Sequence, residues 1–268
     1  MEKKVLVLDI DGTLTNSRKE ITNNTRQAIW DAAMRGHKVI LASGRPTPGM
    51  RRYEEELELD RYGGYLLSFN GARIVDCRTR EVIYQRALPQ GLLPGLYQYA
   101  SRRNMGLSVC LGDTAISAFE PDEYISLEAE INGLPIRVVE PFLEFVNFDI
   151  HKCLMTAPGE QAAIYERELQ EQYGRMASIY RSEPYFVEVM PRDVTKASSL
   201  EKILPILGVD RENVICCGDG YNDISMIRYA GLGVAMANAQ PAVKEAADYV
   251  TASNDEDGIV QIIREFMQ

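Results

Sequence analysis

Hydrophobic and polar positions run along the chain in two rhythms. The first opens with "VLVL" at residues 5–8, an unbroken apolar run of the kind buried on both faces of a parallel sheet. It is followed by "TNNTRQAIWDAAMRG", in which Thr22 can cap a helix, Ala28, Ile29, Ala32 and Ala33 make one apolar stripe, and Gly36 stops it. Next come the strand "HKVILAS", a helical stretch over 47–59, and the strand "YLLSF", which ends at Asn70. Strand, helix, strand, helix, strand is the order of a parallel sheet joined by crossover helices.

The rhythm then changes. "ARIVDCRTREVIYQ" is two short strands around a charged turn, which predicts a hairpin. A helix over 91–103, a hairpin in "MGLSVCLGDTAISAF" turning at Gly112 and Asp113, the strand-like "HKCLMTAP", a helix over 160–173 and "MASIYRSEPYFVEVMP" make an α+β middle third with antiparallel pairing. From Lys196 the first rhythm returns, with a helix carrying Leu200, Ile203, Leu204 and Leu207, the strand "NVICC", a helix from Asn222 to Tyr229, "GVAM", a further helix, "YVT" and a terminal helix. Pro205 falls inside the first of these helices, where it should remove a hydrogen bond and bend the axis. The pattern predicts an α/β protein: a doubly wound parallel sheet from residues 1–83 and 188–268, interrupted by an inserted α+β domain at 84–187.

Composition narrows the function classes. The 268 residues are 46% hydrophobic and 25% charged, ordinary for a globular chain. The net charge of −10 works against binding to nucleic-acid backbones or anionic membranes, so any phosphate must be captured locally. The N-terminal apolar run is only four residues long before Asp9, and nothing elsewhere is long enough to span a bilayer, so a cytoplasmic protein without an obligate protein partner is expected. The five cysteines form no CxxC pair, which argues against a disulfide framework or a thiolate metal site, and Cys216 and Cys217 read as small buried hydrophobes. His37 and His151 have no second ligand nearby and read as structural.

In an open parallel sheet, ligands bind beyond the carboxyl ends of the strands. Those ends supply Asp9 and Asp11 after "VLVL", Ser43 and Arg45 after "VILA", Asn70 after "LLSF", and Asp219, Asn222 and Asp223 after "VICC", while Lys196 begins a helix. Converging carboxylates need a cation, and oxygen donors without His or Cys favour Mg²⁺ over Zn²⁺. Such a site leaves a carboxylate able to attack phosphorus. Successive strand residues face opposite ways, so the single Ile10 between Asp9 and Asp11 lets both acids project to one side.

"DIDGTL", "ASGR", the lone lysine of "DVTKASSL" and "GDGYND" resemble, in order, the four motifs of the haloacid dehalogenase superfamily phosphatases. The insertion between the second and third motifs resembles the Cof-type sugar-phosphatase branch, with its type IIB cap. The resemblance implies a Rossmann-like core and a small-molecule phosphate ester as substrate. Asp9 would be the nucleophile. Asp11 would be the general acid and then the base that activates water. Gly12 would allow close backbone approach to the phosphate, which Ser43 and Lys196 would bind. Asp219 would hold Mg²⁺ with Asp9 and the backbone carbonyl of Asp11. Asp223 would orient the metal shell or Lys196, and Asn222 would touch the phosphate or the metal's waters. Arg45 and Asn70 would touch substrate or hold a loop. The rival readings are a phosphomutase of the same superfamily and a non-catalytic phosphate-binding regulator. The second should carry a broken motif, and Asp9, Asp11, Lys196 and Asp219 are all present.

Overall fold

The computed structural model describes residues 3–267. The chain divides into two compact units, one running up to Tyr84 and resuming at Thr195, the other Gln85–Val194. The inserted unit therefore extends beyond residue 187. The reason is strand Phe186–Pro191, which pairs with Ala177–Glu183 and Cys153–Thr156 and so belongs wholly to the inserted sheet.

The first unit is built on an eight-stranded sheet. Its spatial order is Tyr249–Val250, Leu232–Ala235, Val214–Gly218, Val5–Leu8, Lys38–Ala42, Tyr65–Ser68, Arg73–Asp76 and Val82–Gln85. The first six run parallel, and Arg73–Asp76 turns back antiparallel on Tyr65–Ser68. Alternation sends side chains to opposite faces. Val5, Val7, Ile40 and Cys216 pack on one face with Leu200, Ile203 and Leu204 of helix Lys196–Leu207. Leu6, Leu8, Leu41 and Cys217 pack on the other with Ile29 of helix Asn23–Met34 and Ile259, Ile262 and Ile263 of helix Gly258–Phe266. Both faces are covered, which is why these strands read as unbroken apolar runs. Burial pushes the Cys216 and Cys217 thiols up, so both stay protonated packing groups.

Local signals account for several boundaries. The Thr22 side chain accepts from the Thr25 N–H and starts the first helix. Thr195 and Ser198 make a reciprocal capping box at the start of helix Lys196–Leu207. Pro205 sits in the last turn of that helix, just before the left-handed cap at Gly208, where the carbonyl it leaves without a donor belongs to exposed Glu201. The predicted helix from Asn222 starts later, at Ile224, because 221–223 form a 3₁₀ turn.

The inserted unit is a six-stranded sheet in the order Ala177–Glu183, Phe186–Pro191, Cys153–Thr156, Gly106–Leu111, Thr114–Ser117 and Ile136–Val138. Its pairs are antiparallel except the last, which is parallel. Helices Leu93–Arg103 and Gly159–Tyr173 bring Leu96, Ala162 and Leu169 onto Leu107, Val109, Met155 and Val189. Helix Glu123–Asn132, which the sequence pattern did not reveal, packs Ile125 with Leu154 and Phe186. Its buried positions are only Ile125, Ala129 and Asn132, too few to make an apolar stripe. Among the described residues no helix is long and apolar enough to cross a membrane.

Lys152 is buried in this unit, its Nζ 3.2 Å from Glu128 and 3.1 Å from Glu188. Removing the cation from a buried pair leaves the carboxylate uncompensated. Lys152→Met should therefore destabilise the inserted unit by ~3–5 kcal/mol in urea denaturation. Arg18→Ala, at the exposed Arg18–Glu20 pair, should cost at most ~1 kcal/mol. Equal effects would mean that the Lys152 charge contributes no more than a surface ion pair.

Candidate active site

Three adjacent strands end together. Val5–Leu8 is flanked by Lys38–Ala42 and Val214–Gly218, with Leu8 level with Leu41 and Cys217. The residues immediately beyond them are Asp9, Ser43 and Asp219, so parallel register alone brings these three to one rim. The Asp9 N–H extends the ladder to the Cys217 carbonyl at 3.1 Å.

Lys196 is the centre of the cluster. It is fully buried, and its Nζ lies 2.6 Å from Asp9 Oδ1 and 2.6 Å from Asp223 Oδ1. Burial works to lower the lysine's pKa, but the two carboxylates outweigh it and hold the ammonium charged. The second oxygen of Asp223 accepts from the backbone N–H groups of Asp219 and Gly220, at 3.0 and 2.9 Å. Asp223 thus ties the lysine to the turn that carries Asp219. Asp219 Oδ1 accepts from the Thr13 hydroxyl at 2.8 Å.

Gly12 has φ +87°, and a Cβ placed on it would lie 2.4 Å from Asp219 Oδ2. The space a side chain would fill is occupied by the Asp219 carboxylate, a local reason for glycine that comes from the protein itself. Asn238 donates its amide to the Gly12 carbonyl at 2.8 Å and steadies the same turn.

Asp9, Asp219 and Asp223 each bring a carboxylate oxygen within 4.8 Å of the others. Burial first, then the Asp223 charge, push Asp9 well above the usual carboxylate range, against the pull of Lys196. Burial lifts Asp219 to about 6, with Thr13 opposing. Two acids that resist ionisation side by side, with oxygen donors only, fit a hard divalent cation. Asp223 is committed to Lys196 and two N–H groups, so Asp9 and Asp219 are the carboxylates able to hold it.

Asp11 lies apart from that cluster. Arg45 grips it with Nε and Nη2 at 2.7 and 2.9 Å, and Lys19 adds a contact at 2.9 Å. Against the burial that would raise it, this grip holds Asp11 down at about 2. The Ser43 hydroxyl accepts from the Arg45 N–H at 3.2 Å, leaving its own proton to donate. Asn222 donates to Asn70 at 3.0 Å.

The structure thus gathers Asp9, Gly12, Lys196, Asp219 and Asp223 into one cluster. It places Asp11 with Arg45, and Ser43 with the Asn70–Asn222 pair, on the adjoining loops. Thr13, Lys19 and Asn238 escaped the sequence reading. Lys19 sits in "SRKE", which looks like any solvated charged turn, and it meets Asp11 from a left-handed backbone with φ +62°.

The sequence profile of the haloacid dehalogenase-like hydrolases matches residues 6–263. The chain belongs to that family. It is an enzyme of the family's phosphatase class. Over 265 residues, 98% of the chain and 96% of its counterpart, it is 31% identical to the 5-amino-6-(5-phospho-D-ribitylamino)uracil phosphatase YcsE of Bacillus subtilis. A crystal structure of a haloacid dehalogenase-like hydrolase from Bacteroides thetaiotaomicron superposes with a TM-score of 0.94 at 40% identity, covering 98% of this chain and 99% of that one. A sugar phosphatase of haloacid dehalogenase subclass IIB superposes with a TM-score of 0.85 at 30% identity, covering 98% and 99%.

The Asp219 shift of this hydrolase fixes the sign of a pH effect. Its folded-state value of about 6 lies above the ordinary 3.8, so its contribution to stability is intact below about pH 4 and is lost as pH rises through 6. A divalent cation on Asp9 and Asp219 would bind the ionised form and restore what is lost. Mg²⁺ should therefore raise the melting temperature little at about pH 5 and clearly more at about pH 7.5. Equal shifts at both pH values in a thermal melt would place the cation elsewhere.

Proposed function

We propose that this hydrolase is a Mg²⁺-dependent phosphomonoesterase acting on small sugar or sugar-alcohol phosphates through an aspartyl phosphate on Asp9. The observation that carries the reading is the fully buried Lys196 ammonium against Asp9 and Asp223, beside Asp219. The Lys196 ammonium, fixed at 2.6 Å from one oxygen of Asp9, orients that carboxylate and opposes the burial that disfavours its ionisation, and its one remaining proton can meet an incoming phosphoryl group. Asp9, Asp219 and the Asp11 carbonyl would hold Mg²⁺. When bound, it supplies positive charge that offsets both the acids and the phosphoryl oxygens.

Asp9 attacks phosphorus, the ester P–O bond breaks, and the alcohol leaves with a proton from Asp11. Water then attacks the same phosphorus while Asp11 takes its proton, so inorganic phosphate departs and the Asp9 carboxylate is restored. Ser43 donates its hydroxyl to a phosphoryl oxygen. Held at about 2 by Arg45 and Lys19, Asp11 has no proton to give at neutral pH and little tendency to take one. Both proton transfers therefore require its carboxylate to leave that grip, and an anionic substrate competing for Arg45 would release it.

The substrate class draws on the relatives, one named for a phosphoribityl compound and one for sugar phosphates. The acids and the lysine of the four motifs all lie in the first unit, which is the reason we assign choice among esters to the inserted one.

Asp9→Asn should abolish phosphate release and prevent any acid-stable, base-labile phosphoenzyme. Asp11→Asn should lose ~10²–10⁴-fold on sugar phosphates, yet still be phosphorylated slowly by p-nitrophenyl phosphate, whose leaving group needs no proton. Rapid-quench trapping with labelled substrate checks both. Label on another residue, or unimpaired release by Asp9→Asn, would overturn the mechanism.

A further inference from the structure

The loop after strand Tyr65–Ser68 has an unusual backbone. Phe69, Asn70 and Gly71 all have positive φ, at +52°, +52° and +99°. Only glycine takes such values freely, and a buried phenylalanine is among the residues least suited to them. A strained conformation persists only where its surroundings impose it, and here they are parts of the candidate site.

The Phe69 N–H donates to the Arg45 carbonyl and the Asn70 N–H to the Ser43 carbonyl, each at 2.9 Å. The Gly71 carbonyl accepts from Ser199, one turn into the helix that Lys196 begins, at 2.6 Å. A Cβ on Gly71 would lie 2.1 Å from the Ser199 hydroxyl, so the loop lies directly against that helix. The Asn70 amide oxygen accepts from Asn222 at 3.0 Å, and a Cβ on Gly44 would stand 3.3 Å from both ends of the Asn70 amide. One uncharged loop thus touches the "ASGR" segment, the Lys196 helix and the "GDGYND" turn.

We infer that Asn70 is a positioning residue that acts through Asn222, its buried amide holding the Asp219–Asp223 turn in register with the Ser43–Arg45 loop. Side-chain acceptor and left-handed backbone are both needed, and asparagine is the residue that tolerates the second while supplying the first. The 219–223 turn carries Asp219, and its backbone N–H groups are what Asp223 reads. A turn allowed to drift would loosen the cation site first and the phosphoryl geometry with it. The inference rests on the phosphatase reading of the site, but its test does not depend on turnover alone.

The experiment is a double-mutant cycle. Asn70→Gly deletes the amide while keeping φ near +52° unstrained, so what it loses is the amide's contacts and not backbone geometry, and its melting temperature without cation should fall by only a few degrees. Its kcat/KM on p-nitrophenyl phosphate should fall about tenfold, within the range of couplings between contacting residues, and a higher Mg²⁺ concentration should be needed to stabilise it. Asn222→Ala should produce the same two losses, and the double variant should be no worse than either single one. Asn70→Asp retains both the acceptor and the left-handed tolerance, and should recover part of the Mg²⁺ response. Additive losses in the double variant, or a wild-type Mg²⁺ midpoint in Asn70→Gly, would overturn the inference. If wild-type protein released no phosphate while the Mg²⁺ midpoints still shifted as described, the phosphatase reading would fail and the brace would stand.

Discussion

A lysine with no exposure to water, set between two carboxylates, is the constraint on which the first unit depends. Its ammonium must be compensated in place, and Asp9 and Asp223 do this from the turns that follow two adjacent strands, more than two hundred residues apart in sequence. Losing either partner would leave a buried charge, which is far more costly than a lost surface pair. The lysine also limits the neighbouring backbone. It is the first residue of its helix, so the Thr195–Ser198 cap, the packing of Leu200 and Ile203 on the sheet, and the seating of Gly71 against Ser199 all serve to hold one Nζ.

That lysine does not balance the site. Three carboxylates converge on it, and the burial that strengthens their contact with the ammonium also raises the cost of ionising Asp9 and Asp219. A hard cation on Asp9 and Asp219, as proposed above, would offset that excess negative charge. Asp11 answers the same problem differently. Its charge is met by Arg45 and Lys19 on its own side, so it does not add to the crowding around Asp9.

The glycines follow from the same crowding. Gly12 makes room for Asp219 and Gly71 for Ser199, in each case a side chain of the protein itself. Reading Gly12 only as room for a phosphate leaves out Asp219, its immediate neighbour.

What the sequence by itself determined is what repeats locally or is spelled out in contiguous residues. Unbroken runs such as "VLVL" and "VICC" announce strands covered on both faces, Thr22 and Gly36 bracket a helix, and the four short motifs mark the acids and the lysine that the fold gathers, because each depends on neighbours within a few positions. Helix Glu123–Asn132 was invisible because its burial rests on Leu154 and Phe186, strands distant in sequence, rather than on an apolar stripe of its own. The inserted unit's far boundary depended likewise on where Phe186–Pro191 finds partners. Only the tertiary structure decided that Asp11 belongs with Arg45 and Lys19, that Asp223 attends Lys196 and the Asp219 turn, and that Asn70 meets Asn222. Those pairings span up to 152 residues of chain. They arise from parallel register and loop backbone angles, which no single segment encodes.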